Sequence, residues 1–193
     1  IIEAVGSTSD IDIPSNYKTH QASVVTPGLV DAHSVVGLAG IYNRDDDQNQ
    51  LETSNPIQPH LRAFDAYNAR EELVKFVLNK GVTTTHTGHG PGALASGQTM
   101  IAKTPYNTVD EALVESATTV AFTLGSTVGR NFDTPGTNAK GVAMLRQKFI
   151  DAQEYLEKRN ADDPEKRPAK NLEMEALADV LEGNLKALIT TQQ

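Results

Sequence analysis

The sequence predicts an α/β fold with parallel strands, on two observations. Between residues 28 and 86 a buried-type strand, a long loop, an amphipathic helix, a glycine and a β-branched strand follow one another. That succession is a βαβ unit, and such units place their strands in parallel. The second observation is a pair of helical patterns over 140–158 and 172–181, followed by a last strand over 185–191.

Taken in order, residues 1–26 read as short β segments between polar turns: Ile1–Val5, Ile11–Ile13 and Gln21–Thr26. Pro27-Gly28 marks a turn. Residues 28–33 form an apolar run ending in polar groups, the signature of a buried strand. Residues 37–67 are polar and irregular, and include Asp45-Asp46-Asp47. A loop of that length inside a compact domain is usually functional or disordered. Asn68 suits a helix N-cap, and residues 69–80 carry Leu73, Val74, Phe76, Val77 and Leu78 as a broad apolar face. Gly81 suits a left-handed stop. Residues 82–86, β-branched and ending in His86, read as the next strand.

Residues 87–98 are glycine-rich and 99–103 read as a short strand. Residues 110–116 read as a short helix and 118–124 as an apolar strand. In 140–158, Val142, Leu145, Phe149, Ala152 and Leu156 alternate steps of three and four, one face of a helix. Gly183 is placed to cap the helix over 172–181. The chain opens at Ile1 in what reads as mid-strand sequence and closes on a strand with nothing after it to pair with. It is therefore expected to be part of a longer protein.

Charge and composition narrow the function classes. The formal net charge is −8, which argues against nucleic acid as a partner, since that needs a basic face. No apolar run reaches the roughly 20 residues of a spanning helix. The chain has no cysteine, which removes disulfides and thiolate metal sites and leaves the compartment open. These exclusions leave a small-molecule substrate open as the partner.

The chemistry-bearing residues lie at strand ends. Asp31 and His33 are two apart on the first strand, so they share a face. An imidazole there can bind a metal, and a nearby carboxylate can orient it. His86 ends the second strand, and His89 follows in the glycine-rich loop. The plainer alternative for both is hydrogen bonding to the loop backbone. Gly88 to Gly92 matches no phosphate-loop pattern, and Asp45–Asp47 lacks the spacing of a calcium loop. No Gly-x-Ser-x-Gly elbow is present.

Pro27-Gly28-Leu29-Val30-Asp31-Ala32-His33 closely resembles the opening motif of the metal-dependent amidohydrolase superfamily, its imidazolonepropionase-like branch in particular. Asn79-Lys80-Gly81-Val82-Thr83-Thr84 resembles that superfamily's helix-to-strand junction. Residues 91–98, ending in Gly97-Gln98, resemble its glycine-rich stretch, and Pro135-Gly136-Thr137 with the helix after it also fits. The resemblance runs from about residue 24 to the end.

It implies a partial (β/α)8 barrel over 27–193, with strands at 28–33, 82–86, 118–124 and 185–191, preceded by part of a small β-sandwich domain over 1–26. Four strands cannot close such a barrel. The rest must come from further sequence or a partner chain, a second copy included. The implied activity is hydrolysis of C–N bonds other than peptide bonds in small cyclic amides. The implied cofactor is a divalent metal, zinc foremost, which acidifies bound water and polarises the carbonyl.

The departures from the pattern are specific. The superfamily's His-x-His reads His33-Ser34-Val35 here, and valine has no donor atom. The last strand ends in Gln192 and Gln193, where relatives often carry histidine, and an amide is a poor transition-metal ligand. His33 is thus the surviving metal ligand expected, with His86 and His89 as substitutes. Asp31, Gln98, Lys103 and Gln192 are expected to support the site or touch substrate, although Lys103 does not sit where the superfamily places its bridging lysine. The competing expectation is a non-catalytic binding or structural protein on the same scaffold.

Overall fold

The computed structural model describes residues 2–192. In chain order it contains β1 (Leu29–Ser34), α1 (Ala63–Ala66), α2 (Glu72–Asn79), β2 (Val82–Thr87), β3 (Ala95–Gln98), β4 (Met100–Lys103), α3 (Val109–Ala112), β5 (Leu113–Glu115), β6 (Thr119–Gly125), α4 (Val128–Asn131), α5 (Asn138–Arg159), α6 (Leu172–Glu182) and β7 (Lys186–Gln192). The fold is mixed α/β with two sheets, ordered β1-β2-β4-β5 and β3-β6-β7.

The expected parallel strands are present as two couples. β1 runs parallel to β2, and β6 runs parallel to β7 in unbroken register from Thr119–Lys186 to Gly125–Gln192. The couples are not joined by direct pairing of β2 with β6. One stretch of chain, residues 95–103, lies antiparallel to both: β3 pairs with β6 and β4 with β2. Thr99 sits at the crossing, where its backbone N–H donates to Thr119 O at 2.9 Å and its carbonyl accepts from Thr118 N at 3.0 Å. The sequence reading had a single short strand here. The glycines at 92 and 97 let the chain turn onto the second sheet.

Each sheet has its own apolar core. Around α5 and α6, Leu94, Val120, Phe122, Leu145, Ala152, Tyr155, Met174, Leu177 and Leu185 pack against β3-β6-β7. Around α2, Val36, Leu38, Ala63, Tyr67, Val74, Met100 and Ala102 pack against the other sheet. Full burial of one such leucine or methionine contributes about 2 kcal/mol.

Helix ends follow local chemistry, with two corrections. Helix α2 begins at Glu72, not near residue 69, because Glu71 supplies the cap, its carboxylate accepting from Leu73 N. Asn68 instead accepts from Arg70 N at 3.0 Å and closes the turn before it. The helix expected over 110–116 stops at Ala112, since residues 113–115 pair with β4 as β5. Gly183 ends α6 in a left-handed conformation, φ 80°, as expected. The loop at 37–67 is ordered through α1, a 3₁₀ turn at Asp45–Asp47 and bridges from Ile57 to Ala95 and Arg62 to Gln98.

Residues 2–28 hold no strand, so the β segments expected at 11–13 and 21–26 are not formed. Val24 and Val25 are 76% and 85% exposed, and a β run without a partner strand lacks the ladder that would hold it. Of the first expected segment, Ile1 lies outside the described residues, as does Gln193 at the far end.

Candidate functional site

The ends of β1 and β2 bring two of the three candidate histidines together. Their parallel register sets Asp31 beside Thr85 and Ser34 beside Thr87. The rings of His33 and His86 lie 6.5 Å apart, tilted by 53°. His33 is exposed and His86 half-buried. Asp31 turns one carboxylate oxygen onto its own strand, accepting from His33 N at 3.2 Å. It thereby braces the backbone that carries the imidazole.

His86 is held at both nitrogens. Nδ1 lies 2.9 Å from Ala32 O, and Nε2 lies 2.6 Å from Thr99 Oγ1 and 2.8 Å from Thr118 Oγ1. Thr99 Oγ1 is also 2.9 Å from Thr118 Oγ1 and 2.6 Å from Thr119 Oγ1. Four polar side chains from three strand ends thus form one network at the crossing of the sheets. The backbone partner of His86 thus lies in strand β1 and not in the glycine-rich loop, and the threonines were not singled out in the sequence. Thr118-Thr119 directly before the apolar run of β6 was the signal available, and threonine in a strand is too common to stand out.

His89 lies apart. It is 4% exposed, and neither ring nitrogen has a hydrogen-bond partner. Its ring packs against Gly97, where a Cβ would fall 2.4 Å from the imidazole Cδ2. Burial pushes its pKa down to about 4, because the charged form loses its hydration there. Among the described residues no three His, Asp or Glu side chains converge as a metal site.

The remaining predicted residues sit elsewhere. Lys103 is exposed at the opposite end of β2, where Nζ donates to Thr84 Oγ1 at 2.7 Å. Gln98 anchors the long loop, donating from its backbone to Leu61 O and from Nε2 to Pro59 O. Gln192 stands opposite Gly125 at the end of β7. A separate cavity of about 390 Å³ opens where β6 ends, walled by Leu94, Leu124, Arg130, Pro135, Thr137 and Asn138 among others. No helix is long and apolar enough to cross a membrane among the described residues.

No protein-family model matches the sequence, and no curated protein does. A solved structure does resemble the fold: the crystal structure of an amidohydrolase from Thermotoga maritima MSB8, with a TM-score of 0.80 and 24% sequence identity. The likeness covers 92% of this chain and 50% of that one. The chain therefore has the fold of an amidohydrolase structure while spanning about half its length.

Proposed function

We propose that the chain is the N-terminal half of an amidohydrolase-like (β/α)8 barrel that hydrolyses C–N bonds other than peptide bonds in small cyclic amides. The opening motif over residues 27–33 resembles that of the imidazolonepropionase-like branch. The observation that carries the reading is the pairing of His33 and His86 at the ends of parallel strands β1 and β2, within a fold shared with an amidohydrolase. Strand C-terminal ends are where barrels of this kind do their chemistry.

The donors in hand do not fit a complete metal site. Catalytic zinc takes three protein ligands, whereas position 35 is valine, His86 has both nitrogens engaged and His89 is buried away from solvent. His33 is the group assigned to meet a metal or the reacting carbonyl, with Asp31 bracing it and His86 as a substrate contact. A cation there would need donors from outside this set.

The test is turnover of a panel of cyclic amides and imides, with metal analysis of protein purified without added metal. Activity that falls about a hundredfold or more in His33→Ala supports the assignment. Unchanged activity in that variant removes it. Val35 favours a second reading, a non-catalytic binding protein on this scaffold. Absence of turnover together with absence of bound metal would select it.

A further inference from the structure

The best-defined chemical arrangement in the molecule is the imidazole and threonine network around His86. A backbone carbonyl only accepts hydrogen bonds, so the Nδ1 facing Ala32 O at 2.9 Å carries the proton. In the neutral ring Nε2 is then an acceptor, and its lone pair points at the hydroxyls of Thr99 and Thr118, 2.6 and 2.8 Å away. An imidazole with its tautomer fixed from behind and a hydroxyl in front is the arrangement that activates a nucleophile.

Of the two hydroxyls, Thr99 is fully buried while Thr118 is half-buried. The backbone acceptor for the Thr118 hydroxyl, Thr99 O, is 3.4 Å away, longer than the contact to Nε2. Where Thr99 is the group donating to Nε2, Thr118 donates to Thr99 Oγ1 at 2.9 Å instead. By the first route its proton passes directly to Nε2; by the second it passes to Thr99 Oγ1 as the Thr99 proton moves to Nε2.

We propose that Thr118 is an acyl-accepting nucleophile activated by His86, acting on small, activated carboxylic esters. The amide reading above requires a metal or a carbonyl contact at His33; this inference requires neither. In the first step Thr118 Oγ bonds to the ester carbonyl carbon as its proton passes to Nε2 and the C=O π pair moves onto oxygen. That pair returns, the bond to the alcohol oxygen breaks, and the departing alkoxide takes the proton from Nε2. Water then attacks the acyl-threonine, giving its proton to Nε2. Collapse releases the carboxylic acid and returns the proton to Thr118.

The probe is p-nitrophenyl acetate, added to chelator-treated protein, with p-nitrophenolate release followed by absorbance and the acetyl group located by peptide mass spectrometry. The expected result is release above the buffer rate with one acetyl group on Thr118. Thr118→Val, which keeps the shape and removes the hydroxyl, is expected to lower release by about a hundredfold. Thr118→Ser should keep release near the parent's and still carry the acetyl group at position 118, which a merely structural hydroxyl would not predict. Acetyl found only on lysines or His33, or a Thr118→Val rate equal to the parent's, overturns the proposal. Release no faster than buffer overturns it as well. Cyclic amides are absent from this assay, so either reading can fail while the other stands.

Discussion

At the scale of single residues, His89 and Gly97 form a tightly constrained contact. Gly97 has φ +138°, a region open to glycine, and its missing side chain is where the His89 ring lies. Gly97→Ala must strain the backbone and displace the ring, at a cost of about 2 kcal/mol or more. A fall in the midpoint of urea unfolding checks this. His89 itself links stability to pH. Its pKa is about 4 in the fold and 6.5 ordinarily, so the unfolded chain binds the extra proton first. Stability from this group is full above pH 6.5 and is lost as pH falls toward 4, by about 3 kcal/mol over that window. His89→Gln should flatten that slope in chemical unfolding measured from pH 7 to 4. A slope as steep in the variant would assign the pH dependence to other groups.

At the scale of elements, helix α6 shows how much was legible in advance. Its bounds followed from apolar spacing and from Gly183, because both are local signals. Its cap, Asn171, accepts from Glu173 N at 3.0 Å and Met174 N at 3.2 Å. Asn171→Ala is expected to cost about 1 kcal/mol, read as a lowered thermal midpoint. Helix α2 was misplaced at its start because Asn68 and Glu71 are both competent caps, and only the tertiary fold chose between them. β5 was read as helix for a similar reason: residues 113–115 become a strand only when β4 is there to pair with them. In the candidate site, Asp31, His33 and His86 were singled out from strand ends and a motif. Thr99 and Thr118 were missed, because what makes them notable is 19 residues of separation closed by a sheet crossing.

At the scale of the whole molecule, the outer strands matter most. β1 and β7 end their sheets, and Leu29, Val30 and Ile189 on them are 57%, 67% and 55% exposed. Open strand edges bearing apolar side chains invite pairing. For the 193-residue chain taken alone, concentration-dependent association is expected in sedimentation, and Ile189→Lys should weaken it. A parent protein monomeric at high concentration would count against edge pairing.

The stretch from Ala95 to Lys103 has a mechanical meaning as well. It supplies a ladder partner to each sheet, and Thr99 is stitched to Thr118 and Thr119 where the two meet. Neither sheet can lose this segment without unzipping the other. The two cores are thus riveted into a single cooperative unit, and their slowest-exchanging amides should open together rather than in turn.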